Sequence, residues 1–127
     1  MKVLKITFLL HYYFAAPPDP VASLNLDVSD NSVTLSWVTG FQGSSPITHF
    51  EIEVFQGHVL IQGPLKFASS RRLATVANLE PSNEYMFIVY AVNTIGHSDP
   101  NIVHSSTLHF GEFYPSLCSL GACMYIS

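Results

Sequence analysis

The feature that most constrains the fold is an alternation of apolar and polar residues in short runs, separated by residues that favour turns. Residues 24–28 alternate leucine and valine with asparagine and aspartate, and residues 33–37 alternate valine, leucine and tryptophan with threonine and serine. A third run, residues 49–54, repeats the pattern. Because successive side chains of a β-strand point to opposite faces, this spacing predicts strands with one buried and one solvated face.

Seven such runs lie between residues 17 and 108, and no segment there shows the 3.6-residue period of a helix. The predicted strands cover 24–28, 33–37, 49–54, a short edge strand at 58–61, 72–77, 84–93 and 101–108. Gly63-Pro64 is predicted to turn the chain. The connections are too short for the crossover helices of a parallel sheet. The sequence therefore predicts an all-β fold, a seven-stranded antiparallel β-sandwich of the immunoglobulin-like class.

The inward positions of consecutive strands predict one hydrophobic core between the two sheets. The residues predicted to share this core are Leu35, Trp37, Phe50, Ile52, Val76, Leu79, Phe87 and Val89. Glu51 and Glu53 fall on the outward positions of the third strand. We therefore expect both carboxylates to lie on an exposed strand face rather than in a catalytic pair.

The composition excludes some classes of function for this chain of 127 residues. Hydrophobic residues make up 48% of the chain and charged residues 11%, so the chain is too apolar to be intrinsically disordered. Lys+Arg number 5 against 9 for Asp+Glu, which gives a net charge of −4. Because a nucleic-acid-binding protein needs a basic surface, we expect no nucleic-acid partner.

Five short segments between residues 17 and 108 follow one another at a characteristic spacing. They are Pro17-Pro18, 32–37, 45–47, 79–85 with the pattern Leu-x-Pro-x-x-x-Tyr, and 91–96 followed by Ser98 and Pro100. In this order they resemble a fibronectin type III domain, and the resemblance covers residues 17–108. That segment holds no cysteine, so it lacks the inter-sheet disulfide of a true immunoglobulin domain.

The resemblance implies structural roles for four residues. Trp37 would pack between the sheets, and Leu79 would join the same core. Tyr85 would form a tyrosine corner, with its hydroxyl bonded to backbone a few residues upstream. Pro81 suits this corner because its φ angle is fixed and it needs no hydrogen-bond acceptor for an N–H group.

The two ends of the chain differ from the middle. Residues 1–16 combine a short positive region, an apolar run and two small residues, an outline that resembles a secretory signal peptide; the alternative is an aberrant N-terminus. No apolar run is long enough for a membrane span. Residues 109–127 hold Cys118 and Cys123 and are predicted to form an irregular tail with free thiols, the alternatives being a local disulfide or a thiol metal clip. Both ends are also consistent with a truncated isoform or a fragment of a longer modular protein.

No motif in the sequence predicts catalysis, a cofactor or a metal. The six histidines lack the spacing of metal ligands, although cross-strand pairing could bring His49 near His97 or His104. We expect each histidine to be a solvated strand or loop residue. The sequence has neither a nucleophile elbow nor a glycine loop for phosphates. We therefore predict that the chain is not an enzyme, binds no cofactor or metal, and takes no small-molecule substrate.

The resemblance implies a protein–protein recognition module of an extracellular adhesion molecule or receptor, similar to the modules of neural cell-adhesion molecules and receptor tyrosine phosphatases. The alternative is a structural spacer domain of an intracellular filament or muscle protein. The two functions differ in location. The first is at the cell surface, or secreted if residues 1–16 act as a signal, and the second is cytoplasmic. For the first, the expected partner is a protein, and homophilic binding is one form it could take.

The outward positions of the sixth strand form the candidate binding surface. Four apolar residues occupy them: Met86, Ile88, Tyr90 and Val92. The third strand is expected to be a neighbour, and its outward positions add His49, Glu51, Glu53 and Phe55. An apolar patch with an acidic rim is typical of an interaction surface. The alternatives are cover by residues 109–127, or scattered apolar residues without a function.

Overall fold

The computed structural model describes residues 15–109, 112–113 and 125–126. Within these residues nine strands form. Their bounds are β1 Ala22–Val28, β2 Val33–Val38, β3 His49–Gln56, β4 Val59–Ala68, β5 Leu73–Val76, β6 Glu84–Val92, β7 Asn101–Ser106, β8 Glu112–Phe113 and β9 Tyr125–Ile126.

The first seven strands form two antiparallel sheets. One sheet has three strands in the order β1-β2-β5, and the other has four in the order β4-β3-β6-β7. This arrangement confirms the seven-stranded antiparallel β-sandwich that the alternating pattern predicts. Strands β8 and β9 pair with each other in a separate ladder. The side chains of the tail and residues 1–14 lie outside the described residues, so the predictions made for them remain predictions.

The two sheets enclose one core. All eight residues predicted for the core are buried. Trp37 of β2 packs against Phe50 of β3, with ring centroids 5.3 Å apart and planes tilted by 57°. Because burial of a large apolar side chain stabilises a fold by roughly 1.5–3 kcal/mol, this contact between the sheets is a main source of stability.

The fourth strand is longer than predicted. The sequence predicts a short strand at 58–61 and a turn at Gly63-Pro64, but β4 runs through Gly63-Pro64 and continues to Ala68. The register on β3 shifts twice, between Ile52 and Val54 and between Val54 and Phe55, and each shift accommodates one extra residue of β4. Because β4 is an edge strand, a proline without an N–H group is tolerated there. Pairing with β3 therefore overrides the local preference for a turn.

Asn93, the residue that follows β6, joins three separate segments at one end of the sandwich. Its Nδ2 group donates to the carbonyl oxygens of Ala16 at 3.1 Å, Gln42 at 3.0 Å and Ser45 at 3.3 Å. Its Oδ1 atom accepts from the backbone amides of Ile95 at 2.8 Å and of Gly96 at 3.1 Å. The buried amide thus uses its full hydrogen-bonding capacity and ties the N-terminal lead-in to two loops.

The connection from β5 to β6 is held in place by residues with a predicted structural role, Leu79 and Tyr85. The Tyr85 ring is buried, and its hydroxyl accepts a hydrogen bond from the backbone amide of Glu80 at 2.9 Å. Leu79 is buried, and its amide donates to the carbonyl of Asn31 at 2.9 Å. Pro81 lies exposed between them. These contacts fix the point where the chain crosses from one sheet to the other.

Candidate functional site

The candidate site lies on the face of the four-stranded sheet that points away from the core, called the outer face below. Directly opposed residues of antiparallel strands point to the same side of a sheet, so the register arranges this face in rows. Four rows of side chains follow one another along β6. The first row is Leu60, Phe55, Met86 and His104, and the second is Glu53, Ile88 and Ile102. The third row is Lys66, Glu51 and Tyr90, and the fourth is Ala68, His49, Val92 and His97. The predicted pairing of the third and sixth strands is confirmed.

One end of the outer face, the polar half, consists of His49, Glu51, Tyr90 and His97. The Glu51 carboxylate lies between two imidazoles, with its Oε2 atom 2.7 Å from Nε2 of His49 and its Oε1 atom 3.0 Å from Nε2 of His97. The Tyr90 ring meets His97 edge-on, with centroids 5.3 Å apart. These neighbours leave Glu51 only 9% exposed. The prediction that Glu51 lies on an exposed face is therefore wrong, because side chains of its own face cover it.

Of the histidines on this face, His97 and His104 are exposed as expected, and only His49 differs from the expectation. His49 is half-buried, and its Nδ1 atom lies 3.0 Å from the Thr48 hydroxyl. His97, in the connection from β6 to β7, reaches back to β3 through Glu51. His104 lies at the other end of the face, opposite Met86. Only His97 of the two candidate neighbours thus joins His49 in a cluster.

The charges of the polar half shift two pKa values. Burial works to raise the pKa of Glu51, but hydrogen bonds and positive charge from His49 and His97 outweigh it, so the pKa lies below the ordinary value of 4.5. Burial, together with the negative charge of Glu53 and a hydrogen bond to it, raises the pKa of Tyr90 above 10.0. The cluster therefore holds Glu51 as a carboxylate and Tyr90 as a neutral phenol at neutral pH.

Replacing Glu51 with glutamine is expected to weaken the dependence of stability on acid pH. The folded chain lowers the pKa of Glu51, so its contribution is present above the unfolded pKa of about 4.5 and is lost as the pH falls through the folded value. The difference in unfolding free energy between the natural protein and Glu51→Gln should thus be largest above roughly pH 5 and shrink in acid. Urea unfolding over a pH series measures it.

The matched control for this prediction is Glu84→Gln, which removes an exposed carboxylate from the same sheet. Its unfolding free energy should follow that of the natural protein across the pH series. A Glu51→Gln curve parallel to the natural one would show that the two imidazoles do not stabilise the carboxylate.

The chemistry available to the polar half is hydrogen bonding. Among the residues that the structure describes, no three His, Cys, Asp or Glu side chains are arranged to hold a metal ion. The imidazoles instead approach opposite oxygens of one carboxylate. The cluster fixes the connection after β6 against β3 and gives this end of the face a defined pattern of donors and acceptors.

The other end of the outer face, the apolar half, consists of Phe55, Leu60, Met86, Ile88 and Ile102. Leu60 and Ile102 are exposed, while Phe55 and Met86 are half-buried. Next to Met86 lies an open groove of about 470 Å³, also lined by residues of the β3–β4 turn, β6 and β7. The apolar half is bordered by the carboxylates of Glu53 and Glu84.

The apolar residues of β6 are less exposed than the sequence predicts. Ile88 is 9% exposed and Val92 is also buried. Both lie on a central strand, where neighbours from both sides cover them: Ile88 lies between Glu53 and Ile102. An outward position on a central strand therefore does not guarantee an exposed side chain. The proposed cover by residues 109–127 lies outside the described residues.

Two exposed residues of this face were missing from the predicted site. Ile102 lies on β7 opposite Ile88, and Leu60 lies on β4 opposite Phe55. The sequence gives no clear signal for either residue, because each has an apolar neighbour in the chain: Val103 follows Ile102, and Val59 and Ile61 flank Leu60.

Comparisons with known proteins agree with this architecture. The family model described as fibronectin type III domain matches residues 16–107. The human cell adhesion molecule DSCAM is 35% identical over 88 residues, which make up 67% of this chain and 4% of DSCAM. The chain thus spans a small part of the length of such relatives.

Solved structures of other proteins are also similar to this chain. Domains d3–d4 of the rat CD45 extracellular region match with a TM-score of 0.64 and 31% identity, over 73% of this chain and 51% of that one. A segment of titin matches with a TM-score of 0.62 and 28% identity, over 75% of this chain and 34% of that one. The sequence match and the sandwich together show that the chain belongs to the fibronectin type III family.

Proposed function

We propose that this chain is a non-catalytic protein-recognition module of a cell-surface adhesion molecule or receptor. The family and the similarity to DSCAM support a role in protein interaction. Because the matched region is about one module of a much longer relative, the chain would act as one domain in an array. No group of the described residues has an arrangement that suggests catalysis.

The observation that carries the proposal is the apolar half of the outer face. The outer face of an antiparallel sheet is ordinarily polar, because it meets water. Here Leu60 and Ile102 are exposed beside half-buried Phe55 and Met86, with Glu53 next to them. Such a surface suits a protein partner with an apolar contact patch and a basic side chain opposite Glu53.

The proposed contact residues follow from this division of the face. The apolar half would contribute the buried area, with Ile88 next to Ile102 and Met86 beside the groove. The polar half would orient the partner through Tyr90 and exposed His97, and Glu53 at the border of the apolar half would add a carboxylate, while buried Glu51 holds His97 in place. Because Ile88 and Val92 are buried, they would shape the surface rather than make most of the contact.

Ile102→Glu is expected to weaken binding of the labelled chain to cultured neuronal cells by about tenfold or more, as for a central interface residue. The new charge would lie beside Ile88, on the β7 side of the apolar half, without a partner. Ile102 is 47% exposed, so the variant should fold. Flow cytometry with increasing amounts of labelled protein measures the binding.

Ile95→Glu is the matched control for this test. Ile95 is 48% exposed, but it lies in the turn after β6, outside the rows of the outer face. It should bind as the natural protein does. Equal binding by all three proteins would contradict the proposed use of this face. If residues 109–127 covered the face instead, removing them would increase binding, and Ile102→Glu would reduce the unfolding free energy only in the full chain.

The intracellular spacer is the second candidate function, and the similarity to titin supports it. Expression of the full chain with a C-terminal tag in cultured cells separates the two. Tagged protein in the medium would support the recognition module and the signal role of residues 1–16. Tagged protein found only in the cytosol would favour the spacer. Within the described residues, no helix has the length and apolar character to cross a membrane.

A further inference from the structure

The outer edge of the four-stranded sheet carries a run of exposed apolar residues. β4 is the last strand on this side and pairs only with β3 in the described sheets. Its first three residues are apolar but exposed: Val59 by 63%, Leu60 by 41% and Ile61 by 40%. An apolar edge strand offers unpaired backbone groups to another strand, and proteins ordinarily protect such edges.

The other three edges of the sandwich are protected. At the β7 edge, the Asn101 side chain donates to the carbonyl of Val21 at 2.7 Å, which connects β7 to the segment before β1. β1 is interrupted by a bulge near Ser23. β5 has only four residues. In β4 itself, Pro64 and Lys66 protect the second half. A register shift between Leu60 and Gln62 places a bulge at Ile61, so Val59 and Leu60 are the residues of β4 without such a feature.

The hairpin between β3 and β4 determines which backbone groups face outward. Gly57 and His58 form a two-residue turn, and Gly57 has a φ of 63°, which glycine adopts at little cost. In such a hairpin the closing pair, here Gln56 and Val59, exchanges two hydrogen bonds. The amide and carbonyl of the next residue, Leu60, therefore point away from β3, towards an added strand.

We propose that a second copy of this chain pairs with this edge, antiparallel, with Leu60 on the two-fold axis. Leu60 would exchange two backbone hydrogen bonds with Leu60 of the second copy, and Val59 would face Ile61 of the second copy. This inference goes beyond the proposed recognition role, because it assigns a separate contact at the sheet edge.

The chemistry of the edge favours a second copy as the occupant. A two-fold contact brings the same segment against itself, and residues 59–65 contain no charged side chain, so no like charges meet. The missing N–H of Pro64 lies outside the paired segment. The joined sheets also bring the two apolar halves together, since Leu60 lies beside Phe55 on the outer face. A ladder this short belongs to the weak class of interfaces, below roughly 1,200 Å².

A charge-pair experiment tests the two-fold position of Leu60. The full chain should show a monomer–dimer equilibrium by sedimentation equilibrium at concentrations up to about 1 mM. Leu60→Lys and Leu60→Glu should each be monomeric, because like charges meet on the axis. An equimolar mixture of the two variants should dimerise again, and more strongly at low salt. Ile95→Lys and Ile95→Glu, mixed or alone, should behave as the natural chain.

A backbone variant provides a second test. Leu60→Pro removes an N–H group that β3 does not use, so the variant should keep the circular dichroism spectrum of the natural chain and lose self-association. A natural chain that stays monomeric at about 1 mM overturns the inference. So does a mixture of the Lys and Glu variants that stays monomeric, or single variants that dimerise normally.

Ile102→Glu separates this inference from the proposed function. Ile102 lies on β7, at the opposite edge of the sheet, so the variant should dimerise normally while it loses binding to cells. Loss of self-association in Ile102→Glu, with the Leu60 variants unaffected, would overturn the edge contact and leave the outer face in use. A natural chain that stays monomeric but still binds cells would also overturn the edge contact and leave the outer face in use.

Discussion

Replacing Asn93 with alanine is expected to reduce the free energy of unfolding by about 2–4 kcal/mol. The change removes a buried amide that donates to three carbonyl oxygens and accepts from two backbone amides. These backbone groups come from the N-terminal lead-in, the β2–β3 loop and the turn after β6. Leaving several of them without partners in a partly buried site is the physical reason for the large effect.

Asn101→Ala is the graded control for Asn93→Ala. The Asn101 side chain makes a single hydrogen bond to the carbonyl of Val21, so its loss should reduce the unfolding free energy by about 1 kcal/mol. Urea unfolding followed by tryptophan fluorescence measures both variants, because Trp37 is the only tryptophan. Equal effects of the two substitutions would mean that water replaces the Asn93 bonds.

Tyr85→Phe is expected to reduce the free energy of unfolding by about 1–3 kcal/mol. The ring remains and still fills the core beside Phe87, whose centroid lies 6.4 Å away. The substitution removes only the hydroxyl that accepts a hydrogen bond from the Glu80 amide. That amide loses its partner in the connection that crosses between the two sheets, so the cost is that of an unsatisfied backbone donor.

Tyr90→Phe makes the same chemical change on the outer face and is the control for Tyr85→Phe. Tyr90 is only partly buried, so water can replace the contact of its hydroxyl with Glu53. We expect a loss of less than about 0.5 kcal/mol. A Tyr85→Phe variant with the same stability as the natural chain would show that the corner bond does not stabilise the fold.

The strands and the core were predictable because they depend on local periodicity. Apolar residues at every second position of a strand all point to the same face, and that face must turn inward to bury them. Val33, Leu35 and Trp37 are buried in this way. The predicted strand ends differ from the observed ones by a few residues. The exception is β4, where pairing with β3 continues through Gly63-Pro64 despite local signals for a turn.

The candidate site was predictable only in part. The pairing of β3 with β6 places the predicted residues on one face. Their exposure was not predictable, because it depends on neighbours that are distant in sequence. Glu51 is covered by His97, 46 residues away, and Ile88 by Ile102 of the adjacent strand.

The sequence by itself thus determined the sandwich, its core and the family, since alternating burial and the five family segments are encoded locally. The tertiary structure alone decided three features. They are the contacts of His49 and His97 with Glu51, the hydrogen bonds of Asn93 to three chain segments, and the exposed edge at Leu60. Each of these depends on strand register and on contacts between loops. Such contacts form only when residues far apart in the chain are brought together, and no local pattern specifies them.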